Sequence, residues 1–239
     1  MGRLFLVRHA QASFLSQNYD RLSSVGEKQA RLLGEYWAHR NVVFDRVCTG
    51  PALRHQHTAQ LVSDAYQKAG RDFPSPTISA EFDEFQGETV LSESLPQLLA
   101  TNPKIREWHS ALQSSSDDLT KRASFQRLFE AVISMWVSGG ITPPTAGSWQ
   151  DFCARVNGGL SAFLVEAGKG EIAAIFTSGG PISVAVQRAL HLSAEDTLRV
   201  AWVSRNCSFS EFLFSGERFM LSSFNTFSHL QDESLITYR

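Results

Sequence analysis

The stretch Leu4-Phe5-Leu6-Val7-Arg8-His9-Ala10-Gln11 places four consecutive apolar residues directly before a pair of basic residues. A short continuous apolar run of this kind is typical of a strand that is buried on both faces. The polar residues 8–11 would then follow the carboxyl end of that strand. Ligands of open α/β sheets bind beyond the carboxyl ends of the strands, so this stretch predicts both a strand and a site.

Strand and helix patterns alternate outward from this stretch. Ser24-Val25-Gly26-Glu27 matches a capping box and precedes apolar residues at helical spacing. The later pattern predicts strands at Val42–Cys48, Ile172–Phe176, Leu198–Val203, Phe209–Phe214 and Phe219–Ser222, and helices around residues 59–62, 152–163 and after Pro181. This order favours a three-layer α/β/α sandwich with a mostly parallel sheet.

The middle of the chain differs, because residues 91–136 carry helical patterns and no good strand. We therefore predict a single domain, residues 1–239, with a helical insertion at about 88–147. Such an insertion would roof the site and select what enters. Phe14, Tyr19 and Trp108 are candidates for its entrance, although aromatic residues of this kind more often serve packing alone.

Composition narrows the functional classes. The 22 Lys and Arg residues against 24 Asp and Glu give a net charge of -2, so nothing favours nucleic acid as a partner. The three cysteines have no CxxC spacing, which indicates reduced thiols and neither a disulfide framework nor a zinc site. No apolar run approaches the ~20 residues of a membrane span, and Arg8 ends the first run too early for a signal peptide. We expect a cytoplasmic protein, and the oligomeric state stays open.

Three segments place polar groups at the predicted site edge. They are Arg8-His9 after the first strand, Arg54 early in a helix after the second, and Thr177-Ser178-Gly179-Gly180 before the helix that contains Pro181. Each segment alone is common in proteins. Together they predict two guanidinium groups, one imidazole and one helix N-terminus around a single anion. Phosphate is the natural candidate, because its oxygens match the planar fork of arginine.

Several segments occur in an order that resembles the histidine phosphatase (phosphoglycerate mutase-like) superfamily. They are residues 6–11, Leu22-Ser23 to Gly26, Gln29-Ala30, Leu33-Gly34, residues 44–47, Leu53-Arg54, Thr58-Ala59, Arg155-Val156, residues 178–182, residues 206–208, Asn225 and His229-Leu230. The resemblance spans nearly the whole chain apart from the helical insertion.

The resemblance implies a phosphatase that hydrolyses phosphomonoesters through a phosphohistidine intermediate. His9 would attack phosphorus, while Arg8 and Arg54 would bind the phosphoryl oxygens and Ser178 and Gly179 would complete the phosphate site. The two guanidinium groups would also favour the neutral, nucleophilic imidazole. No metal or cofactor is implied, and the partner would be a small-molecule or phosphorylated substrate.

The proton donor to the leaving oxygen is sought among three acidic residues, Glu81, Asp83 and Glu84. Asp83-Glu84-Phe85 resembles the acidic residue followed by an apolar one that the family carries here. We therefore assign the role to Glu84, with Glu81 and Asp83 as the alternatives.

The chain departs from the family at two positions. Ala10 replaces a glycine, and Ser178 stands where the family's second histidine belongs. Serine can donate one neutral hydrogen bond but carries no positive charge. The phosphatase hypothesis therefore stands beside two others, a catalytically weak or inactive phosphate-binding or partner-binding protein and, ranked last, a phosphoglycerate mutase. His55 and His57 could compensate but are more typical of packing or surface positions, and for His229 we expect a structural role.

Overall fold

The computed structural model describes residues 1–13, 20–115 and 117–238. Phe14 and Tyr19, two of the aromatic candidates for the entrance, lie outside the described residues.

The chain divides into two compact units. One comprises Met1–Glu84 with Arg155–Arg239, and the other comprises Phe85–Ala154. Every residue that the sequence predicts for the phosphate site belongs to the first unit. Trp108, the third entrance candidate, belongs to the second.

The first unit contains a six-stranded sheet with strand order β3-β2-β4-β1-β5-β6. The strands are β1 (Gly2–Arg8), β2 (Arg46–Thr49), β3 (Thr77–Ile78), β4 (Ile172–Thr177), β5 (Phe209–Ser215) and β6 (Arg218–Thr226). The first four pair in parallel, whereas β5 pairs antiparallel with both β1 and β6. The predicted α/β fold with a mostly parallel sheet is confirmed.

One face of β1 packs on two helices, α1 (Ser24–His39) and α2 (Leu53–Lys68). Residues 4–7 are at most 2% exposed, as the continuous apolar run predicts. Phe5 points to the helical face and meets the Trp37 ring edge-on, with 5.6 Å between ring centroids. This aromatic cluster anchors the strand that leads into the predicted site.

The alternate residues of β1, Leu4 and Leu6, are buried on the opposite face. Helix α7 (Gly179–Leu190) packs there against β1 and β6. Helices therefore cover both faces of the sheet, and β1 is fixed from two sides.

The strand predicted at Leu198–Val203 is wrong, because these residues belong to helix α8 (Ala194–Val203). The side chain of Ser193 caps this helix by accepting a hydrogen bond from the Asp196 amide at 3.1 Å. Glu195 and Asp196 place negative charge in its first turn, which the helix dipole favours. These start signals outweigh the strand preference of the β-branched residues that follow.

Two predicted boundaries are also corrected. Strand β2 is shorter than the predicted Val42–Cys48, because Phe44 leaves the ladder and packs against Phe5 with 5.7 Å between ring centroids. The N-cap of α1 is Ser23, whose hydroxyl accepts from the Gly26 amide at 3.0 Å, so the predicted capping box is one residue out of place.

The second unit is helical, as predicted for residues 91–136. It contains α3 (Gly87–Thr101), α4 (Pro103–Ser114), α5 (Asp118–Val137) and the first residues of α6 (Trp149–Val165). Leu128, Val132, Ile133 and Trp136 form a buried stripe on α5, so the apolar residues at helical spacing in this segment serve packing. In the described parts of the chain, no helix combines the length and apolar character needed to span a membrane.

Candidate active site

The ends of β1 and β4 lie side by side at one edge of the sheet. The two strands are parallel neighbours, with Arg8 in register with Thr177. The His9 amide donates to the Thr177 carbonyl at 2.7 Å and extends this pairing by one residue. The structure therefore brings together two of the segments that the sequence placed at the site.

The His9 imidazole is held in a defined orientation. The residue is 7% exposed, and Nδ1 lies 2.8 Å from the carbonyl oxygen of Ala10. Because a carbonyl can only accept, a neutral ring carries its proton on Nδ1 and keeps the lone pair on Nε2. The His9 carbonyl itself accepts from the Cys207 amide at 3.1 Å, which fixes the backbone behind the ring.

The electrostatic surroundings keep His9 neutral. Burial is the largest effect that lowers the pKa of His9 well below its usual value, followed by the charges of Arg54 and Arg8 and by the neighbouring His55. Both effects penalise the imidazolium form. At neutral pH, His9 therefore presents an uncharged nitrogen with a lone pair, which is the nucleophilic form.

The side chain of Arg8 is tied to the backbone that follows α8. Its Nη1 donates to the Ser204 carbonyl. Its Nε would lie 3.9 Å from a Cβ built on Gly179, so the guanidinium group also reaches the start of α7. Arg8 therefore lies between the two strand ends.

Arg54 lies in the first turn of α2 and pairs with Asp20. The distance from Arg54 Nη1 to Asp20 Oδ1 is 2.7 Å, and the other Asp20 oxygen accepts from the Leu53 amide at 2.8 Å. One carboxylate thus caps the helix and orients the guanidinium group. An anion that binds Arg54 shares this cation with Asp20.

Ser178 occupies the N-cap position of α7 but does not cap the helix with its side chain. Its hydroxyl instead lies 2.7 Å from Nε2 of His55, and the two residues are 1% and 0% exposed. The His55 ring is close to that of His9, with 5.7 Å between centroids. The sequence left two roles open for His55, and the structure places it inside the site beside Ser178.

Among the three acidic candidates, Glu84 reaches the start of α7. Its Oε2 accepts from the Gly180 amide at 3.1 Å. Glu81 is exposed and accepts from the Ser79 hydroxyl, and Asp83 accepts from the Glu84 amide at 2.9 Å. The geometry therefore favours Glu84 over both alternatives.

Arg155 holds the loop that carries these acids. Its Nη1 donates to the carbonyls of Ala80 and Glu81 at 2.7 and 3.0 Å, and its Nη2 donates to that of Asp83 at 3.0 Å. Three backbone carbonyls on one guanidinium group fix the loop geometry immediately before Glu84.

Sequence reasoning missed the roles of Asp20 and Arg155. The position of Asp20, near the predicted start of α1, gave no sign that it caps a different helix. In the sequence, Arg155 stands out only as part of the Arg155-Val156 motif, and its three carbonyl partners lie in a loop more than 70 residues earlier.

Two other histidines lie outside the site. His57 is partly exposed on α2. His229 is buried between Tyr36 and Phe209, with ring centroids 6.0 and 6.4 Å away. Burial lowers the pKa of His229 to about 4, as expected for a histidine that packs in a core.

Possible metal ligands were sought among all residues that the structure describes, and none form a suitable group. Across residues 1–13, 20–115 and 117–238, no three His, Cys, Asp or Glu side chains are grouped in a way that could hold a metal ion. What the site does offer is a neutral imidazole, two guanidinium groups, the amides at the start of α7 and a carboxylate. This set suits the binding and transfer of a phosphoryl group.

Comparison with protein families gives one match. The profile described as the histidine phosphatase superfamily (branch 1) matches residues 4–123 and 88–226. No curated protein matches the chain.

Solved structures of the same fold cover nearly the whole chain. The α-ribazole phosphatase from Shigella flexneri is 19% identical, with a TM-score of 0.58, and the match covers 94% of this chain and 96% of that one. Phosphoglycerate mutase from Bacillus anthracis is 16% identical, with a TM-score of 0.63 and coverage of 96% and 95%. A mutant phosphoserine phosphatase from Entamoeba histolytica, in complex with phosphoserine, is 17% identical, with a TM-score of 0.60 and coverage of 96% and 100%. At these identities the likeness establishes the fold.

Proposed function

Because this chain belongs to the histidine phosphatase superfamily, we propose that it hydrolyses phosphomonoesters through a phosphohistidine intermediate on His9. One observation carries the proposal. The buried His9 imidazole has its Nδ1 atom 2.8 Å from the Ala10 carbonyl, which leaves the Nε2 lone pair for attack, and burial together with the charges of Arg54 and Arg8 lowers its pKa.

In the first step, the Nε2 lone pair of His9 attacks phosphorus and forms a P–N bond. The bond between phosphorus and the ester oxygen breaks, and its electron pair leaves with that oxygen. The Glu84 carboxyl group donates the proton that the leaving oxygen needs. Throughout the step, the Ala10 carbonyl accepts from the Nδ1 proton and stabilises the charge on the ring.

In the second step, water attacks the phosphoryl group on His9. The Glu84 carboxylate takes a proton from this water, the P–N bond breaks, and the electron pair returns to Nε2. Inorganic phosphate leaves, and both His9 and Glu84 regain their starting forms.

The phosphoryl oxygens are bound from the two strand ends. Arg8 and Arg54 supply positive charge, while the Ser178 hydroxyl and the Gly179 amide at the start of α7 supply neutral donors. Ser178 stands where the family's second histidine belongs, so one cationic donor of the family pattern is replaced by a neutral one. By typical magnitudes, losing one transition-state donor costs about 3 kcal/mol, or roughly 100-fold in rate.

Two observations favour a second candidate, a catalytically weak or inactive member that binds phosphate or a partner. Ser178 is neutral, and Arg54 is shared with the Asp20 carboxylate at 2.7 Å. Both reduce the positive charge available to a bound phosphoryl group. A phosphoglycerate mutase ranks lower, because it must retain a phosphorylated enzyme between two transfers.

The proposal includes a cytoplasmic location and a phosphorylated small-molecule substrate, with no nucleic-acid or membrane partner. Cys48, Cys153 and Cys207 are free thiols in the structure, which suits a reducing compartment.

The test is a panel of phosphate esters, including an aryl phosphate, assayed with wild type and His9→Ala. We expect hydrolysis by wild type, a loss of about 1,000-fold or more in the variant, and an added phosphoryl group on His9 in the intact mass. His57→Ala, a partly exposed histidine of α2, is the matched control and should keep full activity. Hydrolysis that survives His9→Ala would contradict the mechanism, and formation of 2-phosphoglycerate from 3-phosphoglycerate would favour the mutase.

A further inference from the structure

His55 and Ser178 form a buried polar pair beside the nucleophile. Their side chains come from different elements, α2 and the β4–α7 junction, yet Nε2 and Oγ lie 2.7 Å apart. Neither residue is more than 1% exposed. A buried polar contact of this kind fixes both side chains, because water cannot replace either partner.

The backbone around His55 leaves room for its ring. A Cβ built on Gly50 would lie 2.4 Å from His55 Nδ1 and 2.6 Å from the Phe82 carbonyl oxygen. Only glycine fits between these groups. The absence of a side chain at Gly50 therefore allows His55 to point towards β4.

Ser178 has an unusual role for a residue at its position. Serine at an N-cap normally accepts from an amide of the first helical turn, but the Ser178 side chain makes no such bond. It is turned to His55 instead. The amides at the start of α7 are therefore not covered by the Ser178 hydroxyl, and the Gly180 amide donates to Glu84.

The orientation of the Ser178 proton depends on His55. A neutral imidazole has one donor and one acceptor nitrogen, and a hydroxyl has one proton to donate. The donor role of Ser178 requires the proton of His55 on Nε2, which then donates to Oγ; with the proton on Nδ1, beside the Gly50 backbone, Ser178 would donate to His55 instead, and Ser178→Ala would leave kcat unchanged. With the proton on Nε2, the hydroxyl of Ser178 donates elsewhere, and the neighbouring strand end with His9 is where the phosphoryl group would bind.

We propose that His55 is a positioning residue that holds the Ser178 hydroxyl as a donor to the bound phosphoryl group. This proposal rests on the proposed function, because it requires a phosphoryl group between the ends of β1 and β4. His55 acts only through Ser178 and does not touch the substrate. The pair supplies a hydrogen bond of fixed direction without adding a charge to the site.

A Ser–His pair at 2.7 Å is also the geometry of an activated serine nucleophile. Here the electrostatics argue against that role. Burial, followed by the charge of Arg54, lowers the pKa of His55 to about 3. A histidine with this pKa is a weak base and cannot activate Ser178 efficiently, whereas it can remain a neutral hydrogen-bond partner.

The test is a double-mutant cycle on the hydrolysis of an aryl phosphate. The variants are His55→Leu, Ser178→Ala and the double variant, with His55→Gln added because its amide can still donate to Oγ. We expect His55→Leu and Ser178→Ala each to lower kcat by about 10-fold with little change in KM, because the Ser178 hydroxyl donates to the phosphoryl group that is being transferred. The double variant should match the single ones, and His55→Gln should retain most of the rate.

Two controls separate positioning from folding. His57→Leu changes a partly exposed histidine on the same helix and should leave kcat unchanged. Thermal unfolding of every variant is measured in parallel. If His55→Leu fails to fold, the kcat values of His55→Gln and Ser178→Ala are compared. The positioning role predicts that His55→Gln keeps most of its kcat while Ser178→Ala loses about 10-fold. A purely structural role predicts a loss of kcat in His55→Gln although glutamine can still donate to Oγ.

The proposal is overturned if the losses at positions 55 and 178 multiply, or if His55→Gln loses as much rate as His55→Leu. Failure of the proposed function is a different result, namely no hydrolysis by wild type or hydrolysis that does not require His9. In that case, the affinity for orthovanadate is measured for wild type, the two single variants and the double variant. Coupled losses of affinity would support the positioning role, and independent or absent losses would refute it.

Discussion

Strands β1 and β4 are parallel neighbours that stop at the same edge of the sheet, yet their ends differ in chemistry. The β1 end carries Arg8 and His9, a cation and a buried imidazole whose pKa is lowered. The β4 end carries Ser178 and Gly179, which offer a hydroxyl and the start of a helix. One end therefore carries positive charge and an imidazole, and the other carries a neutral hydroxyl and backbone amides.

Under the proposed function, this difference divides the phosphate site between two strand ends. Burial, followed by the positive charges of Arg54 and Arg8, lowers the pKa of His9, so the cations that would bind the phosphoryl group also favour the unprotonated imidazole. A further cation at the β4 end would strengthen anion binding. The structure has instead a neutral pair, His55 and Ser178, at that position.

The largest effect is expected at the charged end. Arg8→Met removes a guanidinium group that lies between both strand ends, and we expect kcat/KM to fall by about 100-fold to 1,000-fold. Arg3→Met is the matched control, because Arg3 lies on the same strand and pairs with Glu211 at 2.6 Å, away from the site. Steady-state kinetics on an aryl phosphate measure both variants. Equal rates for the two would mean that charge at the β1 end does not drive catalysis.

The next effect concerns the acid beside the start of α7. Glu84→Gln should lower the rate by about 100-fold for esters with poor leaving groups and far less for aryl phosphates, because only poor leaving groups need the proton. A leaving-group series measures this dependence. Glu81→Gln, a change in the same loop, should leave the series unaltered. If the rate depends equally on the leaving group in wild type and in Glu84→Gln, the proton donor is Asp83 or Glu81 and not Glu84.

The pH dependence of stability tests whether His55 is kept neutral in the folded state. In the folded state the pKa of His55 is about 3, and its usual value is 6.5, so below about pH 6.5 the unfolded chain binds more protons. His55 therefore costs no stability well above that pH, and its cost to the folded state grows as the pH falls towards 3. His9 and His229 have lowered pKa values and act in the same direction.

Urea unfolding at pH 7 and pH 5 measures this loss. Wild type should become less stable at pH 5, and His55→Gln should remove about 2 kcal/mol of that loss. An identical loss in the variant would mean that His55 is not kept neutral by its surroundings.

The smallest effect is expected from exchanging the pair. Ser178→His alone would overfill a site that is 1% exposed. Combined with His55→Ser, it keeps the total volume and places an imidazole at the β4 end. Because a bound phosphoryl group favours the charged imidazole, we expect kcat to rise by about 10-fold for the double exchange. A lower rate in a stably folded variant would mean that the neutral pair is the better arrangement.

Part of the fold and of the site could be predicted from local patterns. The apolar run before Arg8 predicted a strand buried on both faces, and the helical patterns of residues 91–136 predicted the helices found there. The pattern misled at Leu198–Val203, where β-branched residues suggested a strand and the cap at Ser193 decided for a helix. Local propensities compete, and the stronger start signal prevailed.

Contacts between distant segments could not be predicted in the same way. Nothing near His55 in the sequence indicates Ser178, which lies 123 residues later. The Asp20 carboxylate caps α2 and pairs with Arg54 only because the fold brings the chain back to that point. The choice of Glu84 over Asp83 likewise depends on which carboxylate reaches the Gly180 amide.

The sequence by itself therefore determined the buried strand, the basic pair at its end and the family to which the chain belongs. These features are read from neighbouring residues and from the order of motifs. The tertiary structure decided which groups face one another across the site, that burial and nearby cations lower the pKa of His9, and that Ser178 contacts His55. The physical reason is that strand register, burial and electrostatic surroundings arise only when distant segments pack together.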